Sequence, residues 1–275
     1  MIGELLYNKR LIVGLILFLI PLLLGTIGPY FYPKDPYERS MCSECPPSEE
    51  HLLGTDARGY DILAQIMEGI LTSLYVGFLS ATITMTIATV VGVIAGIKGG
   101  SIIDEVLMFI ANIFMIIPSI LLAILIAAYI RVRSLEVIAL VMAIPAWGGW
   151  SKAIRSAILS LREREYIYLS KMAGYSDIRL AFEDLLPNLA SYIIIAFMTN
   201  FAGAILTEAS LSFIGLGPTK GITLGKILFW AMQLGALRRG VWWWFIPPGA
   251  IIIMICVALM LISTGLDEVF NPRLR

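Results

Sequence analysis

Among the 275 residues there is one histidine, His51, and there are three cysteines, Cys42, Cys45 and Cys256. A histidine-rich metal centre is therefore excluded, as is a zinc site built from two cysteine pairs. Charge is scarce as well: 15% of residues are Asp, Glu, Lys or Arg, against about 25% in soluble domains. Twenty bases balance twenty acids, so no net field recruits nucleic acid or an acidic partner. No G-x-S-x-G, H-E-x-x-H or phosphate-cradling Walker sequence is present. The expectation is a non-catalytic chain that binds no cofactor and no metal.

What the chain has is apolar surface: 59% hydrophobic residues and a mean hydropathy of +0.86. Six long stretches carry no Asp, Glu, Lys or Arg: 11–33, 69–97, 106–130, 137–151, 185–207 and 240–266. A bilayer-spanning helix needs about 20 mostly apolar residues. Five stretches meet that length and 137–151 falls just short. The reading is an all-α membrane protein with six transmembrane helices. Glu208 follows the fifth stretch, and an acid at membrane depth is a functional-site candidate. The alternative is an interfacial carboxylate that simply reaches water. One such acid is too few for a proton relay.

The polar segments differ in character. Lys9 and Arg10 precede a first apolar run too long for a signal peptide. Segment 34–68 holds eight acids and three bases, unlike a short cytoplasmic loop. Its Cys42 and Cys45 favour a loop-stabilising disulfide, with half a metal site or two free thiols as alternatives. Cys256, inside the last span, reads as a small packing residue. Trp242, Trp243 and Trp244 suggest an interface belt, and Pro118 a kink in the third span.

Segment 151–184 reads as a helix over Ser151–Ala173, broken by Gly174. A short helix then starts at Ser176, an N-cap, with Asp177 in its first turn. Ile178, Ala181, Phe182 and Leu185 follow i, i+3, i+4, i+7 and predict one buried face, with Pro187 ending the unit. Such a pair lies across the membrane surface, as a docking site or as an inert interfacial helix. Six spans place both termini with loops 98–105 and 151–184, and eleven of the twenty Lys and Arg residues fall on that side. That favours cytoplasmic termini.

Several segments, in order along the chain, carry a family resemblance. His51-Leu52-Leu53-Gly54-Thr55-Asp56-Ala57-Arg58-Gly59-Tyr60-Asp61 is similar to H-P-L-G-T-D-x-x-G-R-D, with Leu52 and Tyr60 departing. Gly92 to Gly100 and Asp104, and Ile117 to Ile124, match two further patterns. Leu159 to Tyr166 leads into the long inner loop as it does there. Glu208-Ala209-Ser210-Leu211-Ser212-Phe213-Ile214-Gly215-Leu216-Gly217 is similar to E-x-x-L-S-F-L-G-L-G, and the tail from Gly265 to Arg273 to G-x-x-L-x-D-x-x-D-P-R. Against the loop pattern E-A-A-x-x-x-G-x9-I-x-L-P, Gly174, Leu186 and Pro187 match. Tyr168, Leu169 and Ser170 replace E-A-A, and Asp184 stands at the Ile position. The sequence thus resembles the C-type permease subunit of the oligopeptide/dipeptide/nickel family of ABC importers.

The resemblance implies a type I ABC importer permease fold with a cytoplasmic coupling helix. Residues 1–33 would hold the first span, 34–68 an external segment, and 69–275 a five-span core with coupling loop 151–187. Gly174, Tyr175, Ser176, Asp177, Ile178, Phe182, Leu186 and Pro187 would dock on an ATPase. Implied partners are a second homologous permease, two cytoplasmic ATPases carrying ATP and Mg, an extracellular substrate-binding protein and the lipid of the plasma membrane. The implied activity is half of an alternating-access path for peptides, with Glu208, Ser210 and Ser212 as candidates to line its outer part. Nickel or oligosaccharides are alternative cargoes, and a channel or scaffold without ATPases is the rival class.

Overall fold

A computed structural model describes residues 8–270; Asn271, Pro272 and Arg273 of the tail pattern lie outside them. Helix α1 spans Lys9–Thr26, capped by the Asn8 side chain on the Leu11 N–H, and a single turn, α2, follows at Gly28–Phe31. After the outer segment comes α3, Ile62–Ile97. At about 1.5 Å per residue its 36 residues reach roughly 54 Å, well beyond a hydrocarbon core of about 30 Å. Helices α4 (Ile102–Ile116) and α5 (Ser119–Tyr129) meet at 83°. Then come α6 (Leu135–Arg162), α7 (Glu165–Met172), α8 (Asp177–Leu180), a π-type turn over Ala181–Leu185, and α9 (Leu186–Phe213). Helices α10 (Leu224–Gln233), α11 (Ala236–Arg239) and α12 (Trp242–Phe270) complete the described chain.

Five helical runs are long and apolar enough to cross a bilayer unaided: α1, α3, α6, the continuous run from α8 through α9, and α12. The bent α4–α5 pair supplies the sixth crossing. Stretch 137–151, short by its charges, lies inside the 28-residue α6 and does span. The third span is more than kinked. Pro118 has no N–H to continue the ladder, and Ile117 before it takes an extended conformation (ψ 124°), so the helix ends and restarts.

Other expectations about the inner loop are corrected. The helix expected over Ser151–Ala173 stops at Arg162 and resumes at Glu165. Pro187 does not end the unit; it occupies the first turn of α9, where a missing N–H costs nothing. Of the three tryptophans, only Trp242 faces outward, whereas Trp244 is fully buried.

Contacts define two ends. At one, Arg162 donates to the Gly96 carbonyl (2.8 Å), Lys98 pairs with Asp177 (2.7 Å), and Arg10 pairs with Glu268. At the other, Arg133 donates to the Gly217 carbonyl (3.0 Å), Glu44 pairs with Arg239, and Trp243 packs on Gly54. Between the ends, α3 and α6 lie in backbone contact. A Cβ on Gly92 would stand 2.7 Å from the Ser151 carbonyl oxygen, and one on Gly96 2.5 Å from the Ile158 side chain. Small residues at such crossings let helices approach where lipid offers no hydrophobic drive. Replacing Gly96 with leucine should cost about 1–3 kcal/mol by overpacking. It would be read as a lower unfolding temperature of the purified protein in detergent, and an unchanged temperature would contradict this contact.

Candidate translocation and coupling sites

The end of Arg162, Lys98 and Arg10, inner on the sequence reading, carries the candidate coupling residues. Gly174 has φ +85°, a conformation that a side chain rarely adopts, and no atom lies within 4 Å of where a Cβ would stand. It turns the chain from α7 into α8. Ser176 caps α8 by accepting from the Arg179 N–H (3.3 Å), and the Arg179 guanidinium lies 3.9 Å from the Tyr175 ring centroid. The buried face is not the expected one: Ile167, Leu180, Ala181 and Leu185 point inward, while Ile178 and Phe182 protrude. Of the four apolar positions, Ala181 and Leu185 take the buried side, and Ile178 and Phe182, one turn apart, share the exposed side.

The exposed surface that results is apolar. Tyr168 and Leu169 are each 65% exposed, Met172 72%, Ile178 74% and Phe182 68%. The Ser170 hydroxyl donates back to the Tyr166 carbonyl, and Asp184 Oδ2 is enclosed without a hydrogen-bond partner among the described residues. Leu186 is half-buried and Pro187 exposed. Asp177 ties this unit to α3 through Lys98, and Asp104 ties the start of α4 to Arg155 of α6 with a two-point ion pair (2.5 and 2.6 Å). Each transmembrane neighbour of the loop is thus held at its inner end by a charge pair.

At mid-depth, the α4–α5 elbow opens a cavity of about 390 Å³ against α3, α6 and α9. Ser80, Thr84, Ser119, Asn200 and Thr207 supply its polar groups, and no charged residue lines it. The Asn200 amide nitrogen is enclosed with no partner among the described residues. Pro145, also at the wall, leaves the Val141 carbonyl without its helical donor. The cavity therefore offers uncharged donors and acceptors, suited to amide groups.

Glu208 is not among its lining residues. The carboxylate expected on the path is fully buried in a closed polar cluster instead. Ser212 donates to Oε1 (2.6 Å) and Ser73 to Oε2 (3.3 Å). Those hydroxyls are fed in turn. The Leu224 N–H donates to Ser73 (3.1 Å), Thr223 donates to Ser212 (3.3 Å), and the Lys226 N–H donates to Thr223 (3.2 Å). The first-turn N–H groups of α10 thereby reach an anion through two hydroxyl relays, with the positive end of the helix facing it. Ser210 turns its hydroxyl to the Leu206 carbonyl and takes no part. The cluster fastens α3, α9 and α10 to one another at the outer end.

The outer segment is organised around two more buried acids. Asp61 caps α3 through the Ala64 N–H (2.9 Å) and its other oxygen meets Tyr32 (2.6 Å) and His51 (2.8 Å). Burial, then the bond to Asp61, pushes the Tyr32 phenol well above its ordinary range. Asp56 accepts from the backbone of Arg58 and Tyr60 and from the Arg58 guanidinium. Cys42 and Cys45 stand as a disulfide pair, Cα atoms 5.8 Å apart, and Cys256 is buried in the last span. Among the described residues no cluster of metal-ligating side chains occurs.

The family described as binding-protein-dependent transport system inner membrane component matches residues 88–275. The chain belongs to that family. An oligopeptide transport system permease protein, OppC, of Bacillus subtilis (strain 168) is 32% identical over 98% of this chain and 87% of its own length. A dipeptide permease protein, DppC, of the same organism is 30% identical over 98% of this chain and 83% of its own length. Among solved structures, an inward-facing chain of the MetNI methionine ABC transporter aligns with a TM-score of 0.53 at 20% identity. It covers 75% of this chain and 95% of that one, a likeness of fold. The permease-family fold with its inner helical loop is therefore established.

Within this permease-family member, sequence reading missed Asn200 and Ser80. Neutral residues inside a span give no charge signal, and only the bend at Pro118 marks the cavity. Replacing Glu208 with alanine should leave Ser73 and Ser212 without their acceptor and cost about 1–3 kcal/mol. Glutamine, which keeps one acceptor oxygen, should cost less. Thermal unfolding of the two variants checks this, and equal losses would contradict the relay.

Proposed function

We propose that the chain is one of two permease subunits of an ATP-driven importer of peptides. The observation that carries this is the apolar surface of Tyr168, Leu169, Met172, Ile178 and Phe182 at the inner end. A soluble face of that composition is an interaction site, and an ATPase is the partner that an importer requires. One of two ATPases docks there, a second homologous permease receives the other and completes the path, and a substrate-binding protein delivers cargo to the outer segments. Both termini are cytoplasmic and the membrane is the plasma membrane.

The mechanism is alternating access. Closure of the ATPases moves α7 and α8. The motion passes along the unbroken run into α9 and, through Lys98–Asp177, into α3. These two helices wall the elbow cavity, which is half of the path. Its neutral hydroxyls and amide suit the peptide main chain, which every peptide shares, rather than any one side chain. The chain itself hydrolyses nothing; ATP and Mg belong to the partners. The similarity to relatives named for oligopeptide and dipeptide transport supports peptides over nickel or oligosaccharides.

Gly174 provides the test, with Gly240 as a matched control. Both have positive φ, 85° and 72°, and neither has an atom within 4 Å of a built Cβ, but they lie at opposite ends. Valine at either adds strain of about 1–2 kcal/mol. Gly174→Val should lower ATP-dependent uptake at least tenfold while hydrolysis by the copurified ATPases continues; Gly240→Val should leave uptake within about twofold. Equal effects, or no ATPases on copurification, would favour a channel or scaffold.

A further inference from the structure

We propose that the outer face holds a carboxylate-binding pocket that receives the free C-terminal carboxyl group of a peptide cargo, an inference that rests on the importer reading. The pocket measures about 430 Å³ and lies between the 34–68 segment and the chain leading into α10. Small-molecule sites run from about 300 to 1,000 Å³. Tyr37, Tyr60 and Trp230 form aromatic walls, and Arg58, Lys220 and Lys226 bring positive charge.

These cations are arranged for an anion that the chain does not supply. Arg58 is sandwiched, 4.9 Å from the Tyr60 ring centroid and 4.5 Å from that of Trp230. Asp56 takes its Nε and Nη2 (3.1 and 2.7 Å), while Nη1 has no hydrogen-bond partner among the described residues. Lys226 gives its ammonium to the carbonyls of Pro218, Thr219 and Gly221 (3.2, 3.3 and 2.8 Å), which satisfy its hydrogens without cancelling its charge. Burial, then repulsion from Arg58, lowers its proton affinity below the lysine norm. Lys220 is exposed at the rim. Two further acids flank Tyr37: Glu68 is held by its hydroxyl, and Asp35 accepts from its backbone N–H (2.8 Å). Of the three cations, Arg58 is paired with a carboxylate, Asp56, while Lys220 and Lys226 have no acidic partner among the described residues.

The ligand follows from the walls. Positive charge from Arg58 and from Lys220 at the rim suits a singly charged carboxylate, and Ile222 and Ile227 in the wall suit an apolar side chain beside it, which describes a peptide's last residue. A concave site of this size holds such a residue whole. Cargo released on this face meets the pocket before it reaches the elbow cavity.

The test uses the complete transporter in lipid nanodiscs, without binding protein, titrated with Ala-Ala-Phe and with its C-terminal amide. The acid should bind at least tenfold more tightly than the amide. Lys220→Glu should weaken the acid at least fivefold and leave the amide unchanged, with Lys220→Gln in between; Lys220 is exposed, so neither variant threatens folding. Equal binding of acid and amide overturns the inference, as does an acid preference that Lys220→Glu leaves intact. Crosslinking of position 220 to an acidic side chain of a docked protein, with no peptide bound, also overturns it in favour of a docking contact. ATP-driven uptake by the same transporter in sealed proteoliposomes, with its binding protein added, separates the levels. Uptake without acid preference removes the pocket and leaves the importer, and absent uptake removes both.

Discussion

A carboxylate enclosed within a membrane-spanning helix must find its donors inside the protein, because neither lipid nor bulk water reaches it. Glu208 meets that constraint by recruiting hydroxyls from two other elements, Ser73 of α3 and Thr223 at the cap of α10, through Ser212 of its own helix. The outer architecture depends on this bond set. Helix α10 can lie over the bundle because its unpaired N–H groups are relayed to the acid. Gly225 permits the approach, since a Cβ there would come within 2.7 Å of Ala209. Position and sequence are coupled: E-x-x-x-S places acid and hydroxyl one turn apart, and the glycines after it clear the space.

The same logic recurs in the outer segment. Asp61 and Asp56 are buried acids with their donors close in sequence, and the single histidine, His51, is spent on Asp61 rather than on chemistry. A region with eight acids thus owes its order to two of them. Of its other acids, Glu44 is held by Arg239 and Glu68 by the Tyr37 hydroxyl.

The spans were readable because burial in lipid forbids charge, and charge-free stretches are countable. Stretch 137–151 looked short only because Lys152 and Arg155 enter the same helix, where Arg155 is neutralised by Asp104. The elbow was half readable: Pro118 announced a break but not its 83° size, which packing sets. The face of α8 was half readable: Ala181 and Leu185 are buried, whereas Ile178 and Phe182, one turn apart, stand exposed, because which apolar positions find a neighbour is set by packing rather than by period. Glu208 was singled out correctly as unusual, yet its role was misjudged. Cost at membrane depth says that an acid has a purpose; it does not say whether it faces cargo or other helices. Which hydroxyls surround it is a long-range fact, set by residues such as Ser73, 135 positions away.

Helices are stiff along their axis and yield more easily where the hydrogen-bond ladder widens. The run Asp177–Phe213 is one rod of 37 residues with a π-type joint at Ala181–Leu185 near its inner tip and Glu208 near its outer tip. A sideways force at the inner tip therefore acts as a torque about a pivot fixed near the outer end. Displacement grows with distance from that pivot, so the rod sweeps widely at the inner mouth and hardly at all beneath the outer cap. Its natural motion is a hinge that opens inward.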